Sequence, residues 1–145
     1  MALFKFTKAI LSGDKIQVFN NGLHRRDFTY IDDIIEGIVR VVHNPASPSE
    51  AWNAVRPDPA VSSAPWRIYN IGSNNPTNLM DYIRAIERAL DRKADIELLP
   101  LQPGDVAETH ADMSELMDTF DYRPDTSLEV GISRFIDWYR EYYQE

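Results

Sequence analysis

The junction between a predicted strand and a predicted helix reads Arg26-Asp27-Phe28-Thr29-Tyr30-Ile31-Asp32-Asp33-Ile34. Residues 29–32 have the pattern of a capping box, in which a threonine and an acidic residue three positions later satisfy the first free amides of a helix. The apolar residues that continue the pattern at helical spacing are Ile31, Ile34, Ile35, Ile38, Val41 and Val42. The sequence therefore predicts a helix that ends near residue 43.

The residues before this junction alternate between helical and strand patterns. Residues 2–12 have the apolar spacing of a short amphipathic helix, and Gly13 stands where a helix commonly stops. Residues 15–19 alternate polar and apolar side chains as a strand does, and residues 20–22, Asn-Asn-Gly, are typical of a tight turn. A return strand over residues 25–29 would complete a hairpin.

The residues after the junction begin with a long loop. Residues 44–65 hold five of the nine prolines and cannot sustain a helix, so we expect a flexible surface loop, with a lid or binding role as the open alternative. Residues 66–72 are rich in strand formers and predict a strand. Further on we expect a helix with the buried stripe Leu79, Ile83, Ile86 and Leu90, a strand over residues 96–100, and two final helices. The predicted fold class is α/β, a mixed α+β unit.

The composition limits the domain count and the partners. A chain of 145 residues with 43% hydrophobic content fits a single domain, residues 1–145, with one core. Its net charge of −8 disfavours nucleic acid and anionic membrane surfaces, and no stretch has the length of a spanning helix. The chain contains no cysteine, which fits a reducing compartment, and we expect a cytoplasmic location.

The chain contains none of the common catalytic patterns. Its histidines, His24, His43 and His110, have no acidic or histidine neighbour at a metal-binding spacing, so no metal site is expected. The glycines stand at positions 13, 22, 37, 72, 104 and 131, so the closest pair is nine apart and no glycine-rich phosphate loop can form. No tyrosine is followed four residues later by lysine, and no nucleophile motif occurs. We therefore expect no catalytic and no cofactor-binding residue here.

Residues 24–27, His-Arg-Arg-Asp, concentrate two guanidinium groups in an acidic chain. Arginine forks suit phosphate oxygens, which predicts an anion site. A surface ion pair between Arg25 or Arg26 and Asp27 or Asp105 explains the same residues equally well. Spacing alone leaves both interpretations open.

Several stretches, in this order, resemble the UDP-glucuronate 4-epimerase family. They are Met1-Ala2-Leu3-Phe4-Lys5-Phe6-Thr7-Lys8, Arg26 to Ile34, Tyr69-Asn70-Ile71-Gly72, Leu101-Gln102-Pro103-Gly104-Asp105-Val106 and Phe135-Ile136-Asp137-Trp138-Tyr139-Arg140. The family belongs to the extended short-chain dehydrogenase/reductases, whose amino-terminal Rossmann half holds NAD and whose carboxyl-terminal half holds the nucleotide sugar. The resemblance covers essentially the whole chain.

The resemblance implies a small carboxyl-terminal substrate domain that lacks its Rossmann half. In the family, NAD takes a hydride from C4 of the sugar, the 4-keto intermediate rotates, and the hydride returns to the other face. Tyr, Lys and Ser or Thr of the missing half serve that chemistry, so this chain alone is expected to bind UDP-sugar weakly and to be inactive, with NAD bound only by the full-length enzyme. Met1 then corresponds to an internal methionine of a longer protein.

The resemblance also implies substrate-binding residues. Arg26 matches the arginine that holds the diphosphate, and Asp105 matches an acidic residue at the nucleotide end of the site. Gln17 and Phe19 fall on the strand beside the uracil. Gln102 departs from the arginine that galactose epimerases and decarboxylases usually have there, which favours the glucuronate subtype and leaves one fewer cation for the diphosphate.

Two other functions remain open. A nucleotide-sugar dehydratase or decarboxylase of the same superfamily would share this scaffold, and a non-catalytic interaction module would show no response to UDP-sugars. The expected partners are a UDP-sugar and the missing Rossmann half. Apolar surface that packs on that half also makes self-association of the fragment a hypothesis.

Overall fold

Five helices and two small sheets make up the regular structure of the chain, for which a computed structural model describes residues 2–145. The helices are α1 (Ala2–Ser12), α2 (Ile31–His43), α3 (Leu79–Leu90), α4 (Ser114–Phe120) and α5 (Leu128–Tyr143). The strands are β1 (Lys15–Val18), β2 (Arg25–Arg26), β3 (Thr77–Asn78) and β4 (Asp95–Leu98). This mixture confirms the predicted α/β class.

The first two helices have the predicted extents, but the start of α2 differs from the prediction. Gly13, at φ 75°, ends α1 as expected. The residue that caps α2 is Tyr30 rather than Thr29, and no side chain bonds to the cap, so the predicted capping box is wrong. The carboxylate of Asp33 in the first turn instead accepts a hydrogen bond from Thr126 Oγ1 at 2.9 Å, which joins α2 to the start of α5.

The predicted hairpin is also wrong. Strand β1 pairs in parallel with β4, from Lys15 opposite Asp95 to Val18 opposite Leu98. Strand β2 pairs antiparallel with β3, so that Arg25 lies opposite Asn78 and Arg26 opposite Thr77. The two strands of the expected hairpin therefore belong to different sheets.

The turn over Asn20–Gly22 explains this separation. Its residues all have positive φ angles, 52° at Asn20, 49° at Asn21 and 79° at Gly22, whereas a two-residue hairpin turn needs only two such residues. The amide of Asn21 donates to the carbonyl of Leu99 at 2.8 Å, so the turn is tied to the end of β4. A Cβ at Gly22 would lie 2.7 Å from Met80 Sδ, which shows how closely the turn approaches α3.

The main core lies between α1, α3, α5 and the β1–β4 sheet. The predicted stripe of α3 is confirmed, and Ile83 and Ile86 are fully buried. A smaller cluster of Met113, Leu116 and Tyr122 lies under α4.

Shortening one side chain in the main core is expected to lower stability measurably. Ile86 is fully buried, so Ile86→Val should lower the free energy of unfolding by about 1 kcal/mol. The same change at Ile68, which is 49% exposed, should cost less than about 0.5 kcal/mol. Urea denaturation of the chain measures both, and equal losses would contradict this placement of the core.

Residues 44–65 form the expected loop. The segment contains no helix or strand and no buried residue, and only Val61 makes an isolated bridge, to Arg67. Its flexibility stays a prediction. The strand predicted over residues 66–72 does not form, because apart from that bridge no strand of residues 2–145 pairs with it.

Candidate functional site

The two arginines of the sequence motif lie on β2, between two neighbouring segments. Strand β3 lies on one side of β2. On the other side lies the segment of Ala107 and Thr109: the amide of Arg25 donates to Ala107 O at 2.9 Å, and Thr109 N donates to Arg25 O at 3.1 Å. Strand β2 is only two residues long. The two bonds of Arg25 hold residues 105–109 against it. The site is therefore built on a short central strand and a loop.

The guanidinium group of Arg26 binds this loop directly. Its Nη1 donates to the carbonyls of Arg25 and Ala107 at 2.9 and 3.1 Å. Its Nη2 donates to the carbonyl of Val106 at 2.8 Å and to Asp105 Oδ1 at 3.2 Å. The Arg26–Asp105 ion pair, one of the two alternatives from the sequence, is thus present, and the side chain of Arg26 remains 24% exposed.

The second arginine is also paired. Arg25 Nη1 lies 3.0 Å from Glu108 Oε1, and its Nη2 donates to Pro76 O at 3.1 Å. His24, which is 3% exposed, places Nε2 at 3.1 Å from Asp105 Oδ2, a close contact without the alignment of a hydrogen bond. Two arginines thus face two carboxylates, so an anionic ligand has to compete with Asp105 and Glu108 for them.

The other predicted site residues lie in two places, on or directly after β1 and within the loop over residues 99–105. Gln17, on β1, donates from Nε2 to Glu97 Oε2 at 3.3 Å across the β1–β4 ladder, and Phe19 follows directly as a half-buried residue. Gln102 is exposed, and its carbonyl accepts from the amide of Asp105 at 3.1 Å. The structure thus brings Gln102 to the Arg26–Asp105 pair and places Gln17 on the neighbouring sheet, whereas Phe19, predicted to lie on the same strand, follows the end of β1.

The sequence does not reveal the central part that Asp27 plays, because residue type and spacing indicate it only as a partner for an arginine. Asp27 Oδ1 instead accepts from the amide and the hydroxyl of Ser73 at 2.7 and 2.5 Å. Its Oδ2 accepts from the amide of Ala111 at 3.0 Å. Three separate segments meet at this carboxylate, and no spacing in the sequence signals donors so far along the chain.

Hydrogen bonding determines the charge state of Asp27. Burial alone would raise the pKa of its carboxyl group, but the bonds from the Ser73 hydroxyl and from the amides of Ala111, Ser73 and Asn74 outweigh burial and lower the pKa. Asp27 is therefore anionic at neutral pH and serves as a fixed acceptor beside the arginine strand.

Gly72 is required by the tight packing around Asp27. A Cβ at this position would lie 2.5 Å from Ala111 Cβ and 2.6 Å from Asp27 Oδ2. We expect Gly72→Ala to lower the free energy of unfolding by about 2 kcal/mol, because the neighbouring segments must separate. Gly104 has open space around its Cβ position but a φ of 84°, so Gly104→Asn, which tolerates that backbone, is the control and should cost less than about 1 kcal/mol in the same urea denaturation. Equal losses would contradict the close approach at Gly72.

The described part of the chain offers little other site chemistry. Among residues 2–145, no group of three or more histidine or acidic side chains is placed to hold a metal ion. Within the same residues, no helix has both the length and the apolar character needed to cross a membrane.

The residues of this chain do not fit NAD. In residues 2–145, β1 leads into the turn over Asn20–Gly22 and β4 leads into a loop, so neither strand of the parallel sheet runs through a glycine-rich turn into a helix. The glycines lie singly in different segments. Residues 2–145 therefore form no dinucleotide cradle.

The sequence profile of the NAD dependent epimerase/dehydratase family matches residues 1–55. The chain is 49% identical to Protein CapI of Staphylococcus aureus, over 100% of this chain and 43% of that protein. It is 42% identical to the probable UDP-glucuronate 4-epimerase of Rhizobium meliloti, over 99% of this chain and 42% of that protein. The chain thus spans less than half the length of these relatives.

The same likeness extends to a solved structure. The crystal structure of UDP-glucuronic acid 4-epimerase from Bacillus cereus in complex with UDP-glucuronic acid and NAD matches with a TM-score of 0.76 and 27% identity, over 99% of this chain and 40% of that chain. The fold and sequence of the chain are therefore similar to part of these NAD-dependent epimerase/dehydratase proteins. Within that class, the named likeness is to the UDP-glucuronate 4-epimerases.

Proposed function

We propose that this chain is the UDP-sugar-binding part of an NAD-dependent 4-epimerase that acts on UDP-glucuronate. The observation that carries the proposal is the similarity, over 99% of the chain, to enzymes named as UDP-glucuronate 4-epimerases, one of them solved with UDP-glucuronic acid and NAD. The chain makes up about two fifths of those proteins. Its partner is accordingly the part of the same polypeptide that holds NAD.

Arg26 is the proposed ligand of the diphosphate. Its guanidinium group is fixed by backbone carbonyls, so it is oriented before a ligand arrives, and fixed guanidinium forks suit phosphate oxygens. Residues 101–110 are all exposed, which leaves Asp105 free to turn away from Arg26 when the diphosphate binds. Asp105 then faces the nucleotide end of the ligand.

The remaining predicted residues have supporting roles in the same proposal. Gln17 on β1 and Phe19 directly after it line the uracil, and Gln102 takes a place beside the diphosphate on the exposed loop. Because Gln102 is uncharged, Arg25 and Arg26 provide the positive charge that faces the diphosphate. The side chain of Arg25 is 46% exposed and is the more accessible of the two.

The chain alone is proposed to be inactive. Its residues do not fit NAD, and the hydride chemistry of such enzymes comes with that cofactor. This chain's contribution is to bind and orient the nucleotide sugar. The absence of cysteine supports a cytoplasmic location as part of the proposal.

Calorimetric titration with UDP-glucuronate tests the binding role. We expect a weak response at millimolar ligand for the 145-residue chain and a much tighter one for the complete polypeptide that contains it. No response from either protein would favour a non-catalytic interaction module and would contradict the proposal. A dehydratase or decarboxylase would bind equally well, and only its product would differ.

A further inference from the structure

His24 is a buried polar residue at the start of the arginine strand. It is 3% exposed, although the three residues that follow it are half-buried or exposed. Its carbonyl accepts from the amide of Leu79, the first residue of α3, at 2.8 Å, which fixes the position of its backbone. Because a buried imidazole needs a hydrogen-bond partner to offset its loss of water, its place here calls for an explanation.

The imidazole of His24 lies beside Asp105 without an aligned hydrogen bond to it. Nε2 is 3.1 Å from Asp105 Oδ2, and within residues 2–145 this nitrogen has no hydrogen-bond partner. The distance is already that of a hydrogen bond, so a change in the orientation of the carboxylate is enough to form one. Nε2 carries a hydrogen in one neutral tautomer and in the cation, and it can donate in both.

Asp105 has other partners, one of which a diphosphate would take from it. Its Oδ1 accepts from Arg26 Nη2 at 3.2 Å and from the amide of Val106 at 2.9 Å. The guanidinium group of Arg26 keeps its bonds to three backbone carbonyls without Asp105. A diphosphate at Arg26 would also repel the carboxylate of Asp105. Asp105 therefore needs a replacement for Arg26 when a ligand binds, and His24 is in place to supply it.

We infer that His24 is a positioning residue, which binds Asp105 through Nε2 when the diphosphate of a UDP-sugar takes Arg26 from it. The imidazole touches no ligand in this arrangement and acts only through the carboxylate. It leaves Arg26 free for the diphosphate and keeps Asp105 at the nucleotide end of the site. The inference rests on the proposed function, since it assigns a further residue to the same UDP-sugar site.

His24→Met in the complete polypeptide tests this role, because methionine fills the buried space without an N–H donor. We expect the affinity for UDP, measured by calorimetric titration, to fall about tenfold. His24→Gln restores an N–H donor of similar reach and should stay within about threefold of the wild-type affinity. An unchanged affinity in His24→Met would overturn the inference.

Thr7→Val is the matched control for the loss of a buried polar group. Thr7, on α1, is fully buried, and within residues 2–145 its Oγ1 has no hydrogen-bond partner either. The change should leave the affinity for UDP unchanged. A loss equal to that of His24→Met would contradict a specific role for the imidazole.

A second background separates positioning from general support of the fold. In Asp105→Ala, the further change His24→Met should alter the affinity less than about twofold, because the carboxylate that His24 holds is gone. A histidine that only supported the fold would cost the same factor with and without Asp105. That result would overturn the inference.

Nuclear magnetic resonance of the wild-type imidazole gives a readout that does not depend on the stability of His24→Met. Addition of UDP should shift the Nε2 resonance of His24, which His24→Gln identifies by its absence, because a hydrogen bond forms there. His43, exposed at the end of α2, is the internal reference and should not shift. An unchanged His24 resonance at saturating UDP would overturn the inference.

The wild-type titration distinguishes this inference from the proposed function. No binding of UDP by the wild type would reject the proposed function and this inference with it. Binding by the wild type that His24→Met leaves unchanged would reject this inference alone.

Discussion

Arg26→Ala should abolish UDP binding by the complete polypeptide. The change removes the proposed diphosphate ligand and also releases Asp105, Val106 and Ala107 from their contacts with the guanidinium group. We expect the cost of losing a charged, fixed hydrogen-bonding group that faces a diphosphate to lie at the upper end of about 2 to 5 kcal/mol, a loss of several thousandfold that takes the affinity below a measurable range. Calorimetric titration with UDP gives the readout.

Two further variants separate ligand binding from loop support. Arg26→Lys keeps the charge but not the planar fork, so we expect weakened rather than abolished binding. Arg84→Ala removes a guanidinium group that pairs with Asp81 on α3, and should leave the affinity unchanged. An unchanged affinity in Arg26→Ala would reject Arg26 as the diphosphate ligand.

Asp27→Ala should destabilise the fold more than any other single change considered for this chain. It leaves the amide and hydroxyl of Ser73 and the amide of Ala111 without their acceptor. Because the group is only partly buried, we expect a loss of about 3 kcal/mol rather than the sum for fully buried charged bonds. Asp14→Ala, an exposed carboxylate after α1, should change stability by less than about 0.5 kcal/mol in the same urea denaturation.

The same carboxylate predicts a dependence of stability on pH. The pKa of Asp27 is lowered in the folded chain, so its contribution is complete above its unfolded pKa and is lost as the pH falls through the folded value. Below about pH 4 the wild type should lose stability more steeply than Asp27→Asn, which cannot ionise. Parallel curves for the two proteins would contradict the anionic role of Asp27.

Local sequence patterns predicted the helices well, because the residues that define a helix lie within that helix or directly beside it. The stripe of α3 and the glycine stop of α1 are properties of neighbouring residues, and packing agrees with them. The return strand after Gly22 failed because its direction depends on a third positive φ and on a bond to Leu99. The strand predicted over residues 66–72 does not form, because a strand needs a pairing partner that residues 2–145 do not supply.

The site was predictable only in part, because some of its contacts join residues that are far apart in the sequence. Residue type and resemblance indicate Arg26 and Asp105 as site residues and leave their pairing as one of two alternatives. The role of Asp27 depends on donors 46 and 84 positions away, which no local pattern reveals. Long-range contacts of this kind come from the fold rather than from spacing.

The central claim is that this chain is the UDP-sugar-binding part of a 4-epimerase that acts on UDP-glucuronate. The most direct measurement is product analysis after the complete polypeptide is incubated with UDP-glucuronate and NAD. We predict the C4 epimer as the sole sugar product, with no net consumption of NAD and with the carboxylate retained. A 4-keto or decarboxylated product, or no turnover at all, would contradict the claim.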